Sequence, residues 1–233
     1  MHFIFYKIMK YPRTYHLPFS KGTTSDDRIL KAGWFDNYKG REVVLTEKLD
    51  GENNCMTPYG VFARSHAAPT RNPWSRNLWD YGGLYEKVKG VIGPDEEVFG
   101  ENLYGEHSIK YNRLSHYFHI FAVKGLSNEM FHFPVFYSWD DVCLVAEMMG
   151  VPTVPLLWRG VFDSEDEVEA KINELMSQPS TYGDEKEGVV MRIADEFYTD
   201  DFPKCVCKYV RANHVQTDEH WTKNWKKAEL FRQ

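Results

Sequence analysis

Lys48 ends an apolar, β-branched run, Val43-Val44-Leu45-Thr46, and is followed by Asp50 and Gly51. The run reads as a short buried strand. An ammonium at the tip of such a strand is costly to bury unless it is paired or loses its proton. A lysine without its proton is a nucleophile, and neighbouring cations favour that state. Gly51 lets the backbone turn sharply or approach a ligand closely. Glu47, Asp50 and Asn53 surround the lysine with polar groups. Taken alone, the stretch also reads as a strand end and hairpin turn, because Asp-Gly is a common turn signal.

Further strand-like runs carry charged or aromatic groups. A hairpin is expected over 54–65: Asn54 to Thr57, a turn at Pro58-Tyr59-Gly60, then Val61 to Ser65. Arg64 ends the return strand, which places it near Lys48. Val98 to Gly105 reads as a buried strand interrupted by Gly100, and Glu101 within it wants a cation or hydroxyl partner. Tyr117 to Val123 is a strand by β-propensity. Phe121 reads there as a core residue, and His119 as a surface one. Glu187-Gly188-Val189-Val190-Met191-Arg192 again joins an acid and a glycine to an apolar strand, after a loop at 184–186 that reads as exposed. Lys204 to Arg211 reads as a strand flanked by cations, with Lys208 inside it.

The elements that must position these groups are less distinctive. Residues 1–41 are basic, with Lys7, Lys10, Arg13, Lys21, Arg28, Lys31, Lys39 and Arg41, and read as a segment packed on the edge of the main domain. Residues 66–77 form a loop with Arg71 and Arg76, the kind of loop that carries binding groups. Leu78, Tyr81, Leu84, Tyr85 and Val88 have helical spacing over 78–92, interrupted by glycines. Ser138 caps a helix running to Gly150, and Ser164 opens a capping box for a helix that ends before Pro179. The chain's end, with Trp221, Lys223, Trp225, Lys226 and Lys227, suits either phosphate contacts with base stacking or packing on the domain.

Composition narrows the class. A chain of 233 residues at net charge −6 lacks the fold-wide basic field that marks many nucleic-acid binders, so any such contact must be local. Four scattered cysteines do not make a disulfide framework, and Cys205-x-Cys207 has no second pair at zinc spacing. No apolar run reaches transmembrane length and no signal peptide is evident, so a soluble, cytoplasmic protein is expected.

Five of these runs, in order, resemble the motifs of the covalent nucleotidyltransferase superfamily of polynucleotide ligases and RNA-capping enzymes. The nearest likeness is to ATP-dependent RNA ligases, in the branch that includes nick-sealing phage enzymes. Glu47 to Asn53 resembles the nucleophile motif, Phe99-Gly100-Glu101 the acidic ribose motif, and Phe118 to Phe121 the aromatic strand that stacks on adenine. Glu187 to Val190 resembles the metal-associated motif, and Val206-Cys207-Lys208-Tyr209-Val210 the final lysine motif.

The resemblance implies an α+β nucleotidyltransferase domain of ATP-grasp-like ligase type, with antiparallel sheets flanked by helices and the nucleotide in the cleft between them. It implies one catalytic domain over 1–233, with a basic segment 1–41, a tail 212–233 and no C-terminal oligonucleotide-binding barrel. Lys48 would carry AMP from ATP. Glu47 and Asn53 would bind adenylate and set the geometry. Arg64 would bind the ribose region and Glu101 a ribose hydroxyl. Phe121 would stack on adenine, overriding its core reading. Glu187 would help hold Mg²⁺ or Mn²⁺, and Lys208 would contact the α-phosphate. Relatives often carry two alternating lysines in the last motif. Here Val206 takes the earlier place, so either Lys204 substitutes through a bulge or a phosphate contact is missing. The implied partner is RNA with 5′-phosphate and 3′-hydroxyl ends. DNA ligation, GTP-dependent capping and non-catalytic RNA binding are the rival readings.

Overall fold

A computed structural model describes residues 10–64, 68–80, 83–130, 132–212 and 225–231. Along the chain come β1 (Tyr15–His16), β2 (Val43–Lys48), β3 (Glu52–Thr57) and β4 (Gly60–Ala63). They are followed by α1 (Asn77–Asp80), α2 (Leu84–Val91), β5 (Glu97–Asn102), β6 (Phe118–Leu126) and β7 (Pro134–Phe136). Then come α3 (Trp139–Met149), β8 (Leu156–Gly160), α4 (Glu165–Met176), β9 (Gly188–Ile193), β10 (Phe197–Tyr198), α5 (Phe202–Cys205) and β11 (Val206–Val210).

The strands form two sheets, ordered β1-β11-β9-β2-β8 and β10-β7-β6-β5-β3-β4. Every pairing is antiparallel except β1 with β11, where the N-terminal segment adds a parallel edge. The expected antiparallel α+β architecture is what forms. β2 is central and covered on both faces, which explains its unbroken apolar run. Val43 and Leu45 pack with Val168, Ile172 and Leu175 of α4 and with Trp34, Phe35 and Tyr38. Burying each of those aliphatic side chains contributes roughly 1.5–3 kcal/mol. On the second sheet, Val98, Phe118, Ile120 and Val123 pack with α2 and α3 through Leu84, Val88, Val142 and Ala146. No helix among the described residues is long and apolar enough to cross a membrane.

Both serine caps form: Ser138 Oγ accepts from Asp141 N–H, and Ser164 Oγ accepts from Glu167 N–H. The hairpin over β3 and β4 forms, with Arg64 just past its return strand. Other expectations need correction. The helix expected over 78–92 is two pieces, α1 and α2, with Gly83 in a left-handed conformation between them. His119 is fully buried, not at the surface, because β6 lies inside its sheet and the Tyr182 ring packs 4.9 Å away. Lys186 is buried and donates to Leu175 O, capping the C-terminal turn of α4. The described part of the C-terminal tail packs back on the domain, with Lys227 bridged to Gly105 and its ammonium over the Tyr104 ring. Lys7, Ser65, Tyr81, Trp221 and Lys223, and most of the tail 212–233, lie outside the described residues.

Candidate active site

Strand alternation decides which groups meet. On the first sheet, Thr46 and Lys48 of β2, Val190 and Arg192 of β9, and Val206 and Lys208 of β11 line a common cavity of about 460 Å³. Their registers agree, since Thr46 pairs with Val190 and Val190 with Lys208. Asn53, Glu101 and Phe121 line the cavity from the second sheet, and Arg64 lines it from the hairpin's end. Asn53 lies opposite Glu101 in the ladder. Phe121 owes its position to an irregularity: Phe99 pairs with Ala122 but Gly100 with Ile120, so Phe121 is the extra residue. Such bulges re-aim a side chain.

Lys48 Nζ donates to Glu187 Oε2 at 2.6 Å, across the rung where Lys48 pairs with Gly188. A Cβ on Gly188 would lie 2.0 Å from Tyr209 O, so only glycine lets β9 and β11 close up beside Glu187. Gly51 is similarly constrained, since a Cβ there would lie 2.6 Å from Asn102 O, and its N–H donates to Glu101 Oε1. Asp50 faces away from the lysine's tip. Its Oδ2 accepts from Ser108 and Ile109 N–H, while its own N–H donates to the Tyr111 hydroxyl. Glu52 accepts from Asn54, Asn72 and Ser75, and so ties the arginine-bearing loop to β3.

The charge environment of Lys48 reverses the expectation of a lysine held neutral among cations. Burial alone would lower its pKa, but Glu187, Glu101 and Asp50 outweigh burial and hold it above the ordinary lysine value. Glu101 shows the complementary effect. Burial, reinforced by the charges of Glu187 and Asp50 against the pull of Lys48, pushes its carboxyl up to about 8. Lys208 is pushed down, first by burial and then by the charge of Lys48. In the folded protein Glu101 therefore binds a proton more tightly than in the unfolded chain. That contribution to stability is fully present below about 4.5 and is lost as pH rises through about 8. Glu101→Gln is expected to remove this loss, so melting temperatures across that window should fall more steeply for the native protein than for the variant. Parallel profiles would contradict the assignment.

Several expected site residues are placed differently. Glu47 borders the cavity, but its carboxylate turns to Ser180 Oγ and Thr181 N–H, so of its two expected roles only the positioning one fits. Lys204 is not in the cavity. Phe202 and Pro203 start the short helix α5, and Lys204 rides on it, exposed and paired with Asp201. β11 begins at Val206 without a bulge, so Lys204 does not take the missing lysine's place.

Other cavity residues were not anticipated. Asp27 Oδ1 lies 3.9 Å from Lys208 Nζ and 3.3 Å from His16 Nε2, with Oδ2 accepting from Thr24. Nothing local in the sequence signals that long-range approach. Arg192 could have been found by alternation from Val190. It is buried and, among the described residues, donates to the carbonyls of Ile193 and Tyr137. Tyr11, Pro12, Arg13, Thr14 and His107 also line the wall.

The arrangement fits a nucleotide. A ring, Phe121, and an aliphatic side chain, Val190, line the cavity from the two different sheets. Asn53 Oδ1 is buried and makes no hydrogen bond among the described residues, leaving an acceptor for a ligand. A divalent cation also fits, held mostly by phosphates and water. Carboxylates crowd around Lys48, but no group of three or more metal-ligating side chains forms among the described residues.

Comparison with known proteins agrees with this geometry. The family model described as RNA ligase matches residues 41–210. No curated protein matches the chain. Among solved structures, an archaeal ATP-dependent RNA ligase superposes with TM-score 0.56 at 17% identity, covering 88% of this chain and 48% of that one. A Naegleria gruberi RNA ligase solved with pyrophosphate gives 0.54 at 17%, covering 86% and 57%. An Aquifex aeolicus chain assigned as an ATP-dependent DNA ligase gives 0.55 at 19%, covering 88% and 50%. These likenesses concern the fold, and the chain spans about half the length of each structure. With most of its length matched by the family model, the chain belongs to the RNA ligase family.

Proposed function

We propose that this chain seals RNA ends with ATP, through AMP carried on Lys48. The observation that carries the reading is the convergence of Lys48, Glu187, Lys208, Arg64, Glu101, Asn53 and Phe121, from separate strands, on one cavity or its immediate border. The base lies against Phe121 and the ribose near Glu101 and Asn53. The α-phosphate lies between Lys48 and Lys208.

In the first step Lys48 Nζ forms a bond to the α-phosphorus and the bond to pyrophosphate breaks. Such a transfer demands in-line positioning and charge neutralisation more than acid–base chemistry. Lys208 and Arg64 line the cavity and offer two cations to the phosphates, and an anion bound there would favour the charged form of Lys208 that burial disfavours. Glu187 decides the protonation of Lys48. Paired with the ammonium, it holds the proton there, so Lys48 attacks once that pair opens and the proton leaves to solvent. When bound, Mg²⁺ or Mn²⁺ would neutralise developing phosphate charge, with Glu187 as the protein ligand. AMP then passes to an RNA 5′-phosphate, and a 3′-hydroxyl attacks that phosphate with release of AMP. The residues from β1 to the packed tail act as one catalytic unit, and the exposed Arg71 and Arg76 face the RNA beside the cavity.

The test is a panel of 5′-labelled strands, as nicked RNA duplexes, single-stranded RNA and the matching DNAs. ATP-dependent conversion of label to a phosphatase-resistant form on at least one RNA substrate is expected. Joining of DNA alone, or joining driven by GTP alone, would overturn the reading.

A further inference from the structure

The family match begins at residue 41, yet Tyr11, Pro12, Arg13 and Thr14 form part of the cavity wall. Tyr11 is the residue that packing alone does not explain. Its ring lies among Phe99, Phe121, Phe136 and Phe202, with centroids 5.1, 5.0, 5.8 and 5.1 Å away. Three of those contacts are edge-on, a favourable aromatic geometry. Such a cluster accounts for an aromatic ring, and phenylalanine would satisfy it. A phenolic hydroxyl there must find a partner or leave a polar group poorly satisfied. Among the described residues it has none, and it is not sealed in the core, because Tyr11 opens onto the cavity. Burial holds the hydroxyl neutral, so it keeps both a donor and an acceptor.

Its neighbours define what it meets. Tyr11 touches Phe121, the ring assigned to the base, and the charged groups that face it are Arg192 and Glu101. Arg192 offers donors only. Glu101 is engaged by Gly51 N–H. The Tyr11 oxygen is thus an open acceptor on the ring that touches Phe121, as the unpaired Asn53 Oδ1 is on β3, and an exocyclic amine on a purine is a ligand group that needs one.

We propose that Tyr11 is a specificity-determining residue: its hydroxyl reads the amine-bearing edge of the purine stacked on Phe121 and favours adenine over purines without that amine. The inference rests on the nucleotide reading of the cavity. It assigns the N-terminal segment a place in substrate selection, since β1 anchors that segment as the edge strand beside β11, which carries Lys208.

Tyr11→Phe tests it, because the variant keeps the ring and removes one oxygen. Protein–nucleotide adduct formation is measured with ATP, with purine riboside triphosphate, which lacks the amine, and with GTP. The variant is expected to lose about tenfold in kcat/KM for ATP, the worth of one hydrogen bond, with little change for purine riboside triphosphate. Equal losses with both, or no loss with either, would overturn the proposal. An unchanged or raised melting temperature is the control for folding. Calorimetric titration of ATP into both proteins separates this inference from the covalent chemistry. Weaker ATP binding by the variant, with no adduct in the native protein, would sink the lysyl-AMP reading and leave the Tyr11 contact standing. No ATP binding by the native protein would sink both.

Discussion

Lys48→Ala is expected to abolish the covalent protein–nucleotide adduct while leaving the fold in place. No other lysine among the described residues is placed to replace it: Lys208 lines the cavity from β11 as the proposed phosphate contact, and Lys204 is outside the cavity. Removal of the attacking atom costs the whole step, on the order of 10³-fold or more, as for other covalent nucleophiles. The structural consequence is smaller. Glu187 loses its partner, but a buried carboxyl without a cation takes up a proton instead of staying charged. Lys48 is also partly solvent-accessible, so screening reduces what the pair contributes. Circular dichroism and a melting curve should therefore show a folded variant with a modestly lower midpoint. Undiminished labelling would remove Lys48 from its role.

Glu187→Gln should have the second-largest effect. Glutamine keeps the shape and one acceptor but loses the charge. Two consequences follow from the same atom. The hold on a divalent cation weakens, so adduct formation should need more Mg²⁺ and fall by roughly 10²-fold at fixed Mg²⁺, a loss typical of removing one electrostatic group from a phosphoryl-transfer site. Meanwhile Lys48 loses the strongest of the charges that raise its pKa, so the rising limb of the pH–rate profile should move to lower pH. A variant with native cation titration and native pH profile would show that Glu187 serves only the fold. The paired readout matters because Glu187 is buried and immediately precedes β9, the strand that pairs with β2, so lost activity alone would not distinguish the two roles.

Much of the framework was legible in the sequence because its strands carry single-valued signals. β2 and β9 are β-branched runs bounded by glycine and acid, and both lie at the centre of a sheet covered on both sides. The caps at Ser138 and Ser164 are local chemistry and form as expected. The failures have physical causes too. Lys204 follows Pro203, and proline in a first helical turn turns a presumed strand into α5. His119 alternates away from the core residues beside it, but the surface it faces is covered by Tyr182. Lys48 sits among acids because Glu187 pairs with it and the charges of Glu101 and Asp50 add to that, an encounter between residues more than a hundred positions apart in the case of Glu187. Tyr11 and Asp27 reach the cavity only because the N-terminal segment pairs with β11. Composition and spacing carry no trace of that pairing.

The most direct measurement is intact-protein and peptide mass spectrometry of the chain after incubation with ATP and Mg²⁺. One added AMP, acid-labile and located on the peptide bearing Lys48, is the expected result. AMP on any other side chain, or no adduct from a protein that nonetheless joins RNA, would contradict the account.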